Sequence, residues 1–154
     1  MEDEMADVLD PAAPEAFAQN RVGLFLLKLQ SVGMPGAPTN TLMLTVYAPT
    51  QTVTGHSSVH QAINPPLNVE SHVSGNLIFA TVMDKEKSRI RIDLAGWPEI
   101  RLPGGAGIGP VIPENYNAQI LLKTDYSEGT IRFRFRDDFM SEWHSVSQEI
   151  KRVD

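Results

Sequence analysis

From residue 22 onward, apolar and polar positions alternate in short runs separated by proline and glycine, the period-two signature of strands buried on one face. The clearest run is Thr130-Ile131-Arg132-Phe133-Arg134-Phe135-Arg136. Successive side chains of a strand point to opposite faces, so Ile131, Phe133 and Phe135 are set toward a core while Arg132, Arg134 and Arg136 form a cationic row on the other side. Residues 41–48 repeat the pattern, with Leu42, Leu44 and Val46 alternating against Thr41, Met43, Thr45 and Tyr47 until Pro49 ends the run. Residues 89–97 place Ile90, Ile92 and Leu94 inward against Arg89, Arg91 and Asp93.

Residues 52–61 and 69–82 are joined by Ile63-Asn64-Pro65-Pro66-Leu67, whose prolines cannot donate to a ladder, and this predicts an antiparallel hairpin. Gly55 and Gly75 fall inside these runs, where a glycine marks a bulge or bend of the kind that curls a sheet into a barrel. A second hairpin is predicted from residues 118–124 and 130–136 across the turn Asp125 to Gly129. Residues 22–31 are apolar at both parities, Leu24 and Leu26 against Phe25, Leu27 and Leu29, which suits a strand covered on both faces, a strand in a subunit interface, or a helix. The last segment reads two ways. Trp143, Val146, Ile150 and Val153 recur at helical spacing, whereas Val146, Gln148, Ile150 and Arg152 alternate, and the serines and β-branched residues tilt the balance toward a closing strand. The fold expected is all-β: an antiparallel β-barrel or β-sandwich of about seven to eight strands, as a single domain over residues 21–154.

Charge changes the picture at one end only. The net charge of −6 comes from residues 1–20, which hold Glu2, Asp3, Glu4, Asp7, Asp10 and Glu15 and no base, leaving a remainder with balanced charge. This acidic, Ala- and Pro-rich arm reads either as a solubilising tail or as a segment docked on a neighbouring chain, with Val8, Leu9 and Phe17 as its apolar anchors. A chain of 154 residues buries about 70% of its unfolded surface and folds without staples. The absence of cysteine removes disulfides, thiolate metal sites and thiol nucleophiles. The start of the chain is acidic and no apolar run approaches the length of a spanning helix, so a soluble, cytoplasmic protein without a membrane span is expected.

Candidate chemistry is thin. His56, His60 and His72 share a strand parity, and a symmetric turn at Pro65-Pro66 would bring Glu70 near His60 with His72 across the diagonal; a solvated polar sheet face is the simpler reading, and no metal or other cofactor is expected. The row Arg132, Arg134, Arg136, extended by Arg89 and Arg91 if those strands are neighbours, would suit an anion or an acidic partner, including the arm of a neighbouring chain. Nucleic acid is not expected, because Phe133 and Phe135 face away from the arginines and the globule is neutral. Gly104-Gly105-Ala106-Gly107-Ile108-Gly109-Pro110 lacks the Lys-Ser/Thr and the following helix of a phosphate loop, and Pro110 with Pro113 blocks such a helix. No catalytic set is defensible from spacing.

Gly36-Ala37-Pro38-Thr39, Gln61-Ala62-Ile63-Asn64-Pro65-Pro66-Leu67 and Ala106-Gly107-Ile108-Gly109-Pro110-Val111 resemble blocks of a small bacterial family of uncharacterised proteins, over residues 22 to about 136. The resemblance implies a bacterial source and a single-domain protein, and it brings no activity to any residue.

Two functions are therefore expected in competition. The first is a non-enzymatic binding or self-assembly module that meets a second copy or a protein partner through Leu24, Leu26 and Phe17. The second is a small-molecule-binding barrel, carrier or cofactor-free enzyme, holding a small apolar ligand among Tyr47, Trp97, Tyr116 and Trp143 with the 98–117 loop over its mouth.

Overall fold

A computed structural model of the chain describes residues 23–80, 89–98, 113–137 and 141–153. Among these residues eight strands follow one another: β1 (Leu24–Val32), β2 (Thr39–Tyr47), β3 (Thr52–Gln61), β4 (Leu67–Ala80), β5 (Arg89–Pro98), β6 (Tyr116–Leu122), β7 (Glu128–Phe135) and β8 (His144–Arg152). Each pairs antiparallel with the next, and β8 returns to β1, so the sheet closes into an up-and-down barrel. The alternation predicted for residues 130–136 is met in β7, where Ile131, Phe133 and Phe135 are buried and Arg132 and Arg134 exposed. The closing segment is a strand, β8, and the doubly apolar stretch gives a strand, β1, rather than a helix.

The barrel interior is filled. Leu27, Leu29, Leu42, Leu44, Val53, Val73, Ile90, Ile120, Phe133 and Ile150 are among the side chains of one continuous core. Phe133 lies between Tyr116 and Phe135, with ring centroids 6.4 and 6.0 Å away. A small barrel of this strand number has an inside just wide enough for such packing.

Closure needs sharp bends, and glycine supplies them. A Cβ at Gly55 would lie 2.1 Å from the Met43 carbonyl oxygen, and one at Gly75 only 1.7 Å from that of Asp93. At both positions the neighbouring backbone crosses where a side chain would stand, which is the curling role expected of these glycines.

The β3–β4 hairpin forms in a tighter register than the symmetric guess. Gln61 pairs with Leu67, so Glu70 lies opposite Ser58 rather than beside His60, and His56 lies opposite His72. β6 stands between β5 and β7, so the strand that carries Arg89 and Arg91 does not neighbour the arginine row, although Arg91 lines an outer recess with Arg132 across β6.

Candidate contact surface

β1 carries leucine on both faces because one face belongs to the core and the other to the surface. Leu27 and Leu29 are buried inside, whereas Leu24 and Leu26 stand outside at 67% and 78% exposure. On β2 the outward parity adds Met43 at 58% and Tyr47, with Leu24 opposite Tyr47, Leu26 opposite Thr45 and Lys28 opposite Met43. Contiguous apolar groups of this kind on a charged exterior mark a contact surface more often than chance exposure does.

Among the described residues, the same strand is short of a neighbour. β8 pairs with β1 only from Leu29 to Val32, and past that point Val153 N–H donates to the Lys28 carbonyl at 2.9 Å. Ala48 N–H donates to the Gly23 carbonyl on the β2 side, so by the alternation of an antiparallel ladder the main-chain groups of Leu24 and Leu26 point away from β2, past the end of β8. Between β1, β2 and the end of β8 lies an open recess of about 510 Å³ lined by Leu26, Lys28, Met43, Thr45, Arg152 and Val153. The sequence singled out Leu24 and Leu26. It missed Met43, although a methionine on the polar parity of β2 was a visible signal, and it missed Lys28, Arg152 and Val153, which only the closing register brings together. Phe17 lies outside the described residues.

The arginine row divides. The Arg134 and Arg136 guanidinium carbons lie 5.0 and 4.6 Å from the ring centre of Trp143, a cation–π pair on one indole. The Arg134 Nε–H also donates to Asn117 Oδ1 at 3.3 Å, and that of Arg136 to the Glu114 carbonyl at 3.0 Å. Arg132 faces a separate outer recess with Arg91, Gln119 and Glu149, and Arg91 is itself bonded to Asp93 at 3.1 Å. Two of the three arginines thus serve to seat Trp143.

The four aromatic residues expected around a ligand are scattered. Tyr47 and Trp97 lie on the outer face, Trp143 is half-buried under the arginines, and Tyr116 alone points inside, fully buried. The 98–117 loop falls largely outside the described residues. The histidines occupy the outer face of β3 and β4, with His56 Nε2 3.6 Å from Glu70, and among the described residues no three donors converge on a metal position.

One feature inside the barrel was not foreseen: a polar layer near the rim where β1, β3, β5 and β7 end. Asn40 is fully buried; its backbone N–H donates to Ser31 Oγ at 2.8 Å, its side-chain amide donates to the Tyr116 hydroxyl, and its carbonyl accepts from Ser57 Oγ at 3.0 Å. Beside it Ser71 Oγ donates to Asn115 Oδ1 at 2.7 Å. These residues lie at core parity, Asn40 with Leu42 and Leu44, Ser57 with Val53 and Val59, and that parity was the available signal.

Burial drives the Tyr116 phenol far above its ordinary range, against the opposing pull of hydrogen bonds from Asn40 and Ser57. Tyr116→Phe should cost about 1–2 kcal/mol, because it leaves the Asn40 amide without its acceptor. In the unfolded chain the phenol ionises near pH 10, whereas in the barrel it stays neutral, so the unfolded state sheds the proton first. The stabilisation is therefore complete below about pH 10 and declines as pH rises beyond it. Urea midpoints at pH 8 and pH 10.5 should show this decline, and a smaller one in Tyr116→Phe.

A family profile described as a domain of unknown function (DUF1842) matches residues 22–143. No curated protein matches the chain.

Proposed function

Since the chain belongs to the family of DUF1842 domains of unknown function, we propose, from the geometry of its surface, that it is a non-enzymatic binding module that self-associates through the outer face of β1 and β2. The observation that carries this reading is the exposure of Leu24 and Leu26 beside a stretch of β1 that has no β8 neighbour. Burying a leucine contributes about 1.5–3 kcal/mol, and strand edges with unpaired main-chain groups are ready templates for association. The filled interior supports the same choice, since a carrier barrel needs its inside for a ligand.

Outward-facing Lys28, His56, Glu70, Arg91, Arg132 and Lys151 give the barrel a charged exterior, the reverse of the lipid-facing band of a membrane barrel. A cytoplasmic protein fits this exterior and the lack of cysteine.

Native mass spectrometry of the untagged protein tests the proposal. A discrete oligomer is expected, and Leu26→Asp should weaken it by a factor of about 100 or more, since a two-fold contact loses two leucines at once. A monomer at micromolar concentration sinks the reading.

The small-ligand alternative has one observation in its favour, a rim recess of about 570 Å³ lined by Ile63, Leu67, Phe135, Trp143 and Val146 among others. A monomer retaining added mass in the same spectrum would select it.

A further inference from the structure

We infer that the recess between β1, β2 and the end of β8 receives the acidic N-terminal segment, residues 1–20, of a second copy of this chain. The inference rests on the self-association proposed above and names its contact.

The recess has an apolar floor between two cations. Leu26 and Met43 form the floor with Val153 beside them, Lys28 stands on one strand, and Arg152 on another. Lys28 forms no ion pair among the described residues. Arg152 donates from Nη1 to the Asp125 carbonyl at 3.2 Å, which fixes its guanidinium beside the recess, and the Asp125 carboxylate faces it from the β6–β7 turn. Two aliphatic side chains flanked by carboxylates are what such a site would select.

The segment Asp7-Val8-Leu9-Asp10 has that composition, an aliphatic pair with an acid on each side, within a stretch of six acids and no base. Its charge complements the recess, and its aliphatic pair covers Met43 and the part of Leu26 that lines the recess.

Attachment places the segment at the correct end. The chain enters β1 through Gly23 at φ +80, a left-handed turn with open space around it, and the Gly23 carbonyl is tied to Ala48 N–H at 2.9 Å. Gly23 lies three residues before Leu26, so the segment that precedes it in the chain starts from the stretch of β1 that lines the recess. In a two-fold pair joined across Leu24 and Leu26, each segment starts beside its partner's recess, and reciprocal exchange closes the assembly.

Full-length protein labelled with nitrogen-15 is mixed with unlabelled protein, allowed to exchange subunits, and treated with a carbodiimide, which joins an ammonium directly to a carboxylate. The expected result is Lys28 linked to Asp7 or Asp10 in peptide pairs of mixed isotope, with Lys123 and Lys151 linked to the segment far less. Asp7→Asn with Asp10→Asn should weaken the oligomer at least tenfold. Single-isotope pairs alone, in a sample whose native spectrum shows mixed-isotope oligomers, would overturn the second copy as occupant and put the segment on its own barrel. Links spread evenly over Lys28, Lys123 and Lys151, in a sample whose native spectrum still shows an oligomer, would overturn the inference and leave the self-association standing. A monomeric native spectrum would overturn both.

Discussion

Gly75→Ala should destabilise the protein by about 3 kcal/mol or more, enough to move its urea midpoint well outside the range of ordinary surface substitutions. Gly75 lies on β4 opposite Leu94 of β5, and a methyl group there would stand 1.7 Å from the Asp93 carbonyl oxygen and 2.8 Å from its carbon. Those are backbone atoms within the β4–β5 ladder, so relief requires the strands to part, not a side chain to turn. Gly36→Ala is the matching control. Gly36 has φ +86 with nothing within 4 Å of the added carbon, so the cost there is conformational only, about 1–2 kcal/mol. Urea unfolding of both variants with an unchanged m-value tests the comparison. Should Gly75→Ala cost no more than Gly36→Ala, the tight crossing of β4 and β5 would be wrong.

Phe133→Ala is expected to cost about 4 kcal/mol. The ring is fully buried, stacked between Tyr116 and Phe135, and the residue paired with it on β6 is Ala118, too small to move into the space. Deletion removes both the transfer energy of the ring and the contacts of its neighbours, and a closed barrel collapses around a hole less readily than an open sheet. For a chain of 154 residues the loss corresponds to roughly 8–16 °C in melting temperature. Calorimetry that found a fall of only a few degrees would mean the interior has slack, and would reopen the barrel as a place for a ligand.

Much of the barrel is legible in the chain itself. Strands with one buried face announced themselves through alternation, as Thr130 to Arg136 does, and the proline and glycine breaks placed their ends to within a few residues. β8 stayed ambiguous because its apolar positions are sparse. What makes it a strand is the pairing of Ile150 with Ser31 of β1 and with Gly129 of β7, and those contacts lie far away in sequence. Register was less legible still. The proline-rich connection after Gln61 allows several turn lengths, and a shift of two residues keeps every side chain on its face while changing which partners meet, so Glu70 moved from His60 to Ser58 without disturbing the core.

The contact surface was half legible for a related reason. Leu24 and Leu26 stood out because a strand cannot bury both of its faces in one small barrel. Lys28, Met43 and Arg152 come from three strands, and nothing local to any of them shows that β8 stops short of β1. The polar layer around Asn40 went unseen because polar residues in a strand are ordinarily assigned outward. Parity placed Asn40, Ser57 and Ser71 inward, and only the mutual hydrogen bonds make that position affordable.

The seam between the first and last strands also sets a clock for biosynthesis. Leu29 finds Arg152, and Ser31 finds Ile150, only when roughly 120 further residues have been made. At about 5–20 residues per second, a ribosome leaves β1 without its second neighbour for roughly 6–24 seconds. Through that interval Leu27 and Leu29, which the finished barrel hides completely, have only β2 and later hairpins for cover. The nascent chain therefore presents its most apolar strand first and encloses it last, which makes β1 the segment most in need of a chaperone's protection while translation continues.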